Sequence, residues 1–138
     1  MSEAQRHIAL AVGGSVAIHR ALDLASELRK RGWRVTALMT ASAQKLVSPL
    51  FFKAMTGERV FHDLWTGADH DAYDHLAPAR EAQAMVFAPA TAGLIARLAA
   101  GMADDIVTTC SLAFRGPRLL CPAMNHRMWA NSLVQENV

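Results

Sequence analysis

The side chains able to move a proton or hold a carboxylate are few and well separated. His75 follows a polar stretch, residues 66–74, and stands where a helix is expected to begin. Histidine is the side-chain type that exchanges protons near neutrality, so His75 is a candidate acid/base; a plain surface position is the competing reading. Asn125 closes the run Pro122-Ala123-Met124-Asn125. Its amide offers a donor and an acceptor, suited to a carboxylate or the edge of a planar ring. Met124, Met128 and Trp129 read equally well as core or interface packing. Gly13-Gly14-Ser15 lies between an apolar run and a helical stretch. There glycine backbone and a helix N-terminus can approach a phosphate, though a tight turn with a serine cap would look the same. The residue three after Gly14 is Ala17, so the third glycine of the dinucleotide fingerprint is missing. Thr40-Ala41-Ser42 can bind a phosphate or cap a helix. Pro89-Ala90-Thr91-Ala92 is small enough to admit a flat ring, or is a simple strand-to-helix turn.

His7, His19, His62, His70 and His126 are weaker candidates. Asp69, His70 and Asp71 cluster, but without the cysteine or paired-histidine spacing of a metal site, so no metal is expected. Cys110 and Cys121 sit in apolar stretches and read as buried free thiols rather than a disulfide framework.

The elements that must position these residues follow from hydrophobic period and punctuation. His7–Val12 is an apolar run ending at two glycines, a buried strand entering a turn. Residues 15–31 carry Ile18, Leu22, Ala25 and Leu28 at helical spacing, and Gly32 ends them. Arg34–Met39 is the second strand. Short helices are expected at 42–47 and 49–55, closed by Gly57, then a short edge strand at 59–64. Residues 66–74 are the best candidate for a mobile loop. Further elements are a helix at 75–83, a strand at 84–88, helices at 91–102 and 106–112, a fourth core strand at 118–121 and a helix from 128 to 138. Parallel neighbours need crossover helices, so the alternation predicts a three-layer α/β sandwich, flavodoxin-like or Rossmann-like, around a parallel sheet. Such sheets bind ligands at the carboxyl ends of their strands, and all four special segments fall there.

Composition narrows the function class. The chain has 138 residues, one domain's worth, of which 52% are hydrophobic and 19% charged. The low charge hints at extra buried surface, such as a subunit interface or cofactor cleft. Net charge is +2, and Arg29-Lys30-Arg31 is the tightest basic group, at a helix end where it complements the dipole. Nucleic-acid binding is not expected. No apolar run reaches the roughly 20 residues of a membrane span, and residues 1–6 lack a signal-peptide core, so a cytoplasmic protein is expected.

Taken in order, these motifs resemble the homo-oligomeric flavin-containing cysteine decarboxylases over residues 7–131. The most specific are Ala88–Ala92 continuing through Leu94-Ile95-Ala96 and 99–105, and Pro122–Asn125 with Met128-Trp129; Met39-Thr40, Ser48-Pro49-Leu50 and Thr56-Gly57 add to them. The resemblance implies FMN in a flavodoxin-like fold. It implies that Gly14, Ser15, Thr40 and Ser42 approach the phosphate or ribityl chain. Pro89, Ala90 and Thr91 would border the ring, and Ala123, Met124 and Asn125 the substrate. A cysteine-derived thiol would be oxidised to a thioaldehyde and its carboxylate lost as carbon dioxide, with His75 as acid/base and Asn125 holding the carboxylate. The coenzyme A branch of the family, acting on phosphopantothenoylcysteine, is the nearest; a peptidyl-cysteine decarboxylase or a non-catalytic flavin-binding subunit is the alternative. Pro122–Asn125 argues against a flavin prenyltransferase. The implied partners are a small thiol/carboxylate substrate and copies of the chain, as a homotrimer or trimer-based homododecamer. The family's substrate-covering segment with its reactive cysteine would lie beyond Val138. A single flavoprotein domain, residues 1–138, is therefore expected without that segment, and whether the enethiol is reduced stays open.

Overall fold

A computed structural model describes residues 4–65 and 74–138. Among them the apolar runs form strands β1 (His7–Val12), β2 (Arg34–Met39), β3 (Ala84–Ala90) and β4 (Arg118–Pro122). They make a parallel sheet in the order β2-β1-β3-β4. Every side chain of β1 is buried, as expected for a strand covered on both faces.

The two-residue period of the strands sorts the core onto two faces. Leu10, Val12, Val35 and Met39 pack with Ile18, Ala21 and Ala25 of α1 (Ile18–Lys30) on one side. That side also takes Ala43 of α2 (Ala41–Leu46) and Phe52 of α3 (Pro49–Thr56). On the other, Ala9, Ala11, Leu38, Met85 and Phe87 meet Leu94 and Ile95 of α5 (Ala92–Ala99) and Ile106, Val107 and Cys110 of α6 (Ile106–Ala113). Ala77 and Ala79 of α4 (Ala77–Glu81) pack there too. Leu10 is fully buried, so Leu10→Ala should cost about 2–5 kcal/mol.

Several boundaries differ from the sequence reading, each for a local reason. The first helix starts at Ile18, because Ser15 turns the chain by accepting the Ala17 N–H at 3.1 Å. Its basic end does more than meet a dipole: Arg29 donates to the carbonyls of Ala54 and Met55 at 3.3 and 3.2 Å. The edge strand at 59–64 reduces to one parallel bridge, Leu38 to Phe61. The helix expected at 75–83 is only α4, with proline in its first turn. β3 runs on through Pro89 and Ala90, across a cis Ala88–Pro89 bond. β4 is the sheet edge rather than a core strand: none of its residues is fully buried, and Leu119 is 59% exposed. The last helix is two, α7 (His126–Trp129) and α8 (Ser132–Asn137), because the Asn131 side chain caps the second by accepting the Leu133 N–H at 2.9 Å. Most of the loop expected at 66–74, with Asp69, His70 and Asp71, lies outside the described residues.

Candidate active site

Three strand-end loops meet at the carboxyl edge of the sheet. The Gly13 N–H donates to the Pro89 carbonyl at 3.0 Å, and the Thr40 N–H to the Val12 carbonyl at 3.1 Å. Glycine is required by this meeting. A Cβ on Gly13 would lie 2.5 Å from the Pro89 oxygen, and one on Gly14 2.4 Å from Ser42 Cβ and 2.8 Å from Ser42 backbone. Ser15 is half-buried and Ser42 exposed.

The α1 N-terminus opens onto the same edge. Its cap, Ala17, supplies no side-chain bond, and its first turn has no acidic residue. No acid of its own first turn offsets the dipole of this 13-residue helix where β1 ends, which fits an anionic group. Thr40 and Thr91 resolve the capping question: each hydroxyl accepts a backbone N–H at 3.1 Å, from Ala43 and Leu94 respectively. Each keeps its own proton for donation. Pro89 and Ala90 are buried beside Gly13 and form a small, neutral floor.

The Pro122–Asn125 segment joins this edge through β4. The Ala123 N–H donates to the Ala90 carbonyl at 3.0 Å. Asn125 Oδ1 accepts the Arg127 N–H at 2.8 Å and caps α7, which orients the amide so that Nδ2 is its donor end. Pro122, Met124 and Trp129 line a cavity of 310 Å³. Ala123 and Met124 are half-buried, while Met128 and Trp129 are 48% and 40% exposed and thus not core residues of this chain.

His75 is held from a different direction. Its carbonyl accepts the Cys110 thiol at 2.9 Å, tying it to α6. Beside it the Asp74 carboxylate accepts the Leu76 N–H at 3.2 Å and pairs with Arg80. The Arg80 guanidinium holds Asp74 below its ordinary pKa. α6 begins in a capping box, with Asp105 accepting the Thr108 N–H at 2.8 Å and the Thr108 hydroxyl accepting the Asp105 N–H at 3.1 Å. Arg97 clamps Asp104 and Asp105 at 3.2 and 2.8 Å. Burial, helped by the Asp105 and Asp74 charges, pushes the Cys110 thiol up to about 12. It is an inert donor, not a nucleophile.

The structure therefore brings Gly14, Ser15, Thr40, Ser42, Pro89, Ala90, Thr91 and the Ala123–Asn125 segment to one edge, and fixes His75 through α6. Sequence reasoning missed the Cys110 tie and the Arg97 clamp. The spacing of Asp105 and Thr108 was a visible signal for the capping box; no signal marked the thiol's partner. A second cavity, of 360 Å³, beside the end of β2 between Gln44, Trp65 and Asp104 was also unforeseen. His7, a weak candidate, is buried and bonded to the Thr36 hydroxyl at 2.7 Å, and burial lowers its pKa. Among the described residues no group of three or more metal-ligating side chains gathers, and no helix is long and apolar enough to cross a membrane.

Residues 1–138 match the family model described as flavoprotein. The chain belongs to the flavoprotein family. The flavoprotein is 37% identical over 135 residues to the probable phosphopantothenoylcysteine decarboxylase of Streptococcus mutans, covering 96% of this chain and 75% of that protein. It is 39% identical over 138 residues to the coenzyme A biosynthesis bifunctional protein CoaBC of Escherichia coli K12, where it covers 100% of itself but 34% of the relative. Against the CoaBC relative of Vibrio vulnificus the share is likewise 34%, so the chain spans about a third of such proteins. Among solved structures, the FMN-dependent cysteine decarboxylase SpaF superposes with a TM-score of 0.87 at 33% identity, over 96% of this chain and 77% of that one. TvaF, an FMN-dependent cysteine decarboxylase from thioviridamide biosynthesis, gives 0.88 at 31%, over 97% and 83%. The parallel sheet flanked by helices is thus the flavodoxin-like fold of these neighbours.

Proposed function

We propose that this flavoprotein domain binds FMN and carries out the oxidative decarboxylation of a cysteine-derived carboxylate, with phosphopantothenoylcysteine as substrate on the way to phosphopantetheine. The observation that carries the reading is the Ala123–Ala90 hydrogen bond, which sets the Asn125 segment against the loop suited to a flat ring. The named activities of the Streptococcus, Escherichia, SpaF and TvaF proteins support it.

Gly14, Ser15, Thr40 and Ser42, with the uncapped α1 N-terminus, would hold the FMN phosphate and ribityl chain. Pro89, Ala90 and Thr91 would border the ring. Bound FMN would supply the two-electron chemistry that turns the substrate thiol into a thioaldehyde. His75 takes and returns the proton at its imidazole nitrogen. Asn125 Nδ2 holds the carboxylate until the bond to the α-carbon breaks and carbon dioxide leaves, while Ala123 and Met124 line the space around it.

The domain works as a homotrimer or trimer-based homododecamer in the cytoplasm. Val16, before α1, and Leu50 and Phe51 of α3, 86%, 71% and 57% exposed, offer apolar surface for such assembly. Free Cys110 and Cys121 suit a reducing compartment.

The visible spectrum of the purified protein, the chromophore released on denaturation, and carbon dioxide released from phosphopantothenoylcysteine test the reading. FMN release with turnover supports it. A colourless protein that takes up no added FMN overturns the cofactor, and FMN without carbon dioxide release overturns the activity. SpaF and TvaF are named cysteine decarboxylases without a coenzyme A substrate, which keeps a second reading, a peptidyl cysteine as substrate; competition between a cysteine-terminated peptide and phosphopantothenoylcysteine separates the two.

A further inference from the structure

We propose that Cys110 is a positioning residue for His75: its thiol holds the His75 carbonyl and thereby sets where the imidazole stands. The inference rests on the reading of His75 as the proton-moving group.

Cys110 is completely buried on α6, and its Sγ lies 2.9 Å from the His75 oxygen. A free thiol in an apolar helix face needs no partner, and hydrophobic packing alone would be satisfied by alanine or valine. Here the S–H instead reaches across 35 residues of sequence to a backbone carbonyl. The donor does not fade with pH, because the buried thiol stays protonated up to about 12.

The thiol is also mounted on a stiff support. Ile106 and Val107 are buried one turn before it, the Asp105–Thr108 capping box closes the helix start, and Arg97 binds both Asp104 and Asp105. On the other side of His75, Asp74 caps the following turn and pairs with Arg80. His75 is thus tied to α6 through its carbonyl and sits inside the Asp74–Leu76 turn that leads into α4. A shift of about 1 Å in a group that moves a proton can cost up to a hundredfold in rate, so a backbone tie at this residue bears directly on turnover.

The test compares Cys110→Val, which keeps bulk without a donor, and Cys110→Ser, which keeps a donor, in the FMN-loaded protein. The readouts are kcat, KM, FMN content, thermal midpoint and the His75 imidazole titration followed by NMR, the last also without FMN. The expected result is a fall in kcat of the order of tenfold in Cys110→Val. KM and FMN content stay close to the parent, the His75 titration moves, and Cys110→Ser recovers most of kcat. Equal kcat and an unmoved His75 titration in both variants overturn the proposal. So does a loss in Cys110→Val that Cys110→Ser shares in full and that follows the thermal midpoint. If Cys110→Val does not fold, Cys110→Ala is read by the same titration. His75→Asn is run alongside: full turnover there sinks the catalytic reading, while the titration in the Cys110 variants still reports whether the thiol places the ring.

Discussion

The two ends of the sheet use polar groups in opposite ways. At the amino end Arg34 binds Glu58 through two hydrogen bonds, at 2.8 and 3.2 Å, and Glu81 through a third at 3.2 Å. His7 pairs with Thr36 beside them, and the Arg6 guanidinium stands over the Trp33 ring. Each of these groups has its partner at the same end. At the carboxyl end the segments 13–15, 40–42 and 89–91, where β1, β2 and β3 end, are built of glycine, serine, threonine, proline and alanine, and α1, one of the helices that start there, carries neither a side-chain cap nor an acid in its first turn. Both ends terminate the same strands, so the difference lies in the side chains. One end consumes its hydrogen-bonding capacity internally and holds the fold; the other leaves donors and a positive dipole for a bound anion.

That division can be broken at four places. The largest effect is expected for His75→Asn, which should lower turnover by roughly 10²–10⁴-fold while FMN content and thermal midpoint stay unchanged; steady-state kinetics beside a melting curve decide it. Next is Gly14→Ala. Its new Cβ would sit 2.4 Å from Ser42 Cβ, so the loops must part. Strain of about 1–3 kcal/mol should fall on the carboxyl end, read as FMN affinity weakened about tenfold or more in a fluorescence titration. Unchanged affinity would show that the glycines serve packing alone. Third, Arg34→Met should destabilise by about 1 kcal/mol, since the pair is 38% exposed on the arginine side. Denaturant unfolding would register it, and FMN affinity should not move; if it does, the two ends are not separate.

The smallest effect concerns pH. Burial lowers the His7 pKa from its ordinary 6.5, so the folded protein favours the neutral ring. Below that value the unfolded chain binds the extra proton first, and stability falls as pH drops. His7→Gln should flatten the slope of unfolding free energy below about pH 6.5 relative to the parent. An unchanged slope would move the cause elsewhere.

Legibility in the sequence followed the range of the physics. β1, β2 and the end of α3 at Gly57 were readable because apolar runs and glycine breaks act within a few residues; Gly57 has φ 67°. The start of α6 was readable from Asp104-Asp105, since capping is also local. The exposure of β4 and the split at Asn131 were not. Leu119-Leu120-Cys121 reads as core on composition, and only the strand order shows that nothing among the described residues lies beyond it. The capping roles of Thr40 and Thr91 could be listed beforehand as options but not chosen, because the same hydroxyls suit a phosphate.

By itself, then, the sequence determined the alternation of strands and helices and the four segments at strand ends, since period and turn chemistry are properties of neighbouring residues. Tertiary structure decided which of those ends touch. Gly13 meets Pro89, Gly14 approaches Ser42, Ala123 reaches Ala90 and Cys110 finds His75. These contacts join residues from 28 positions apart upward. At that range the partner is selected by sheet order and helix packing, not by the local pattern of either segment.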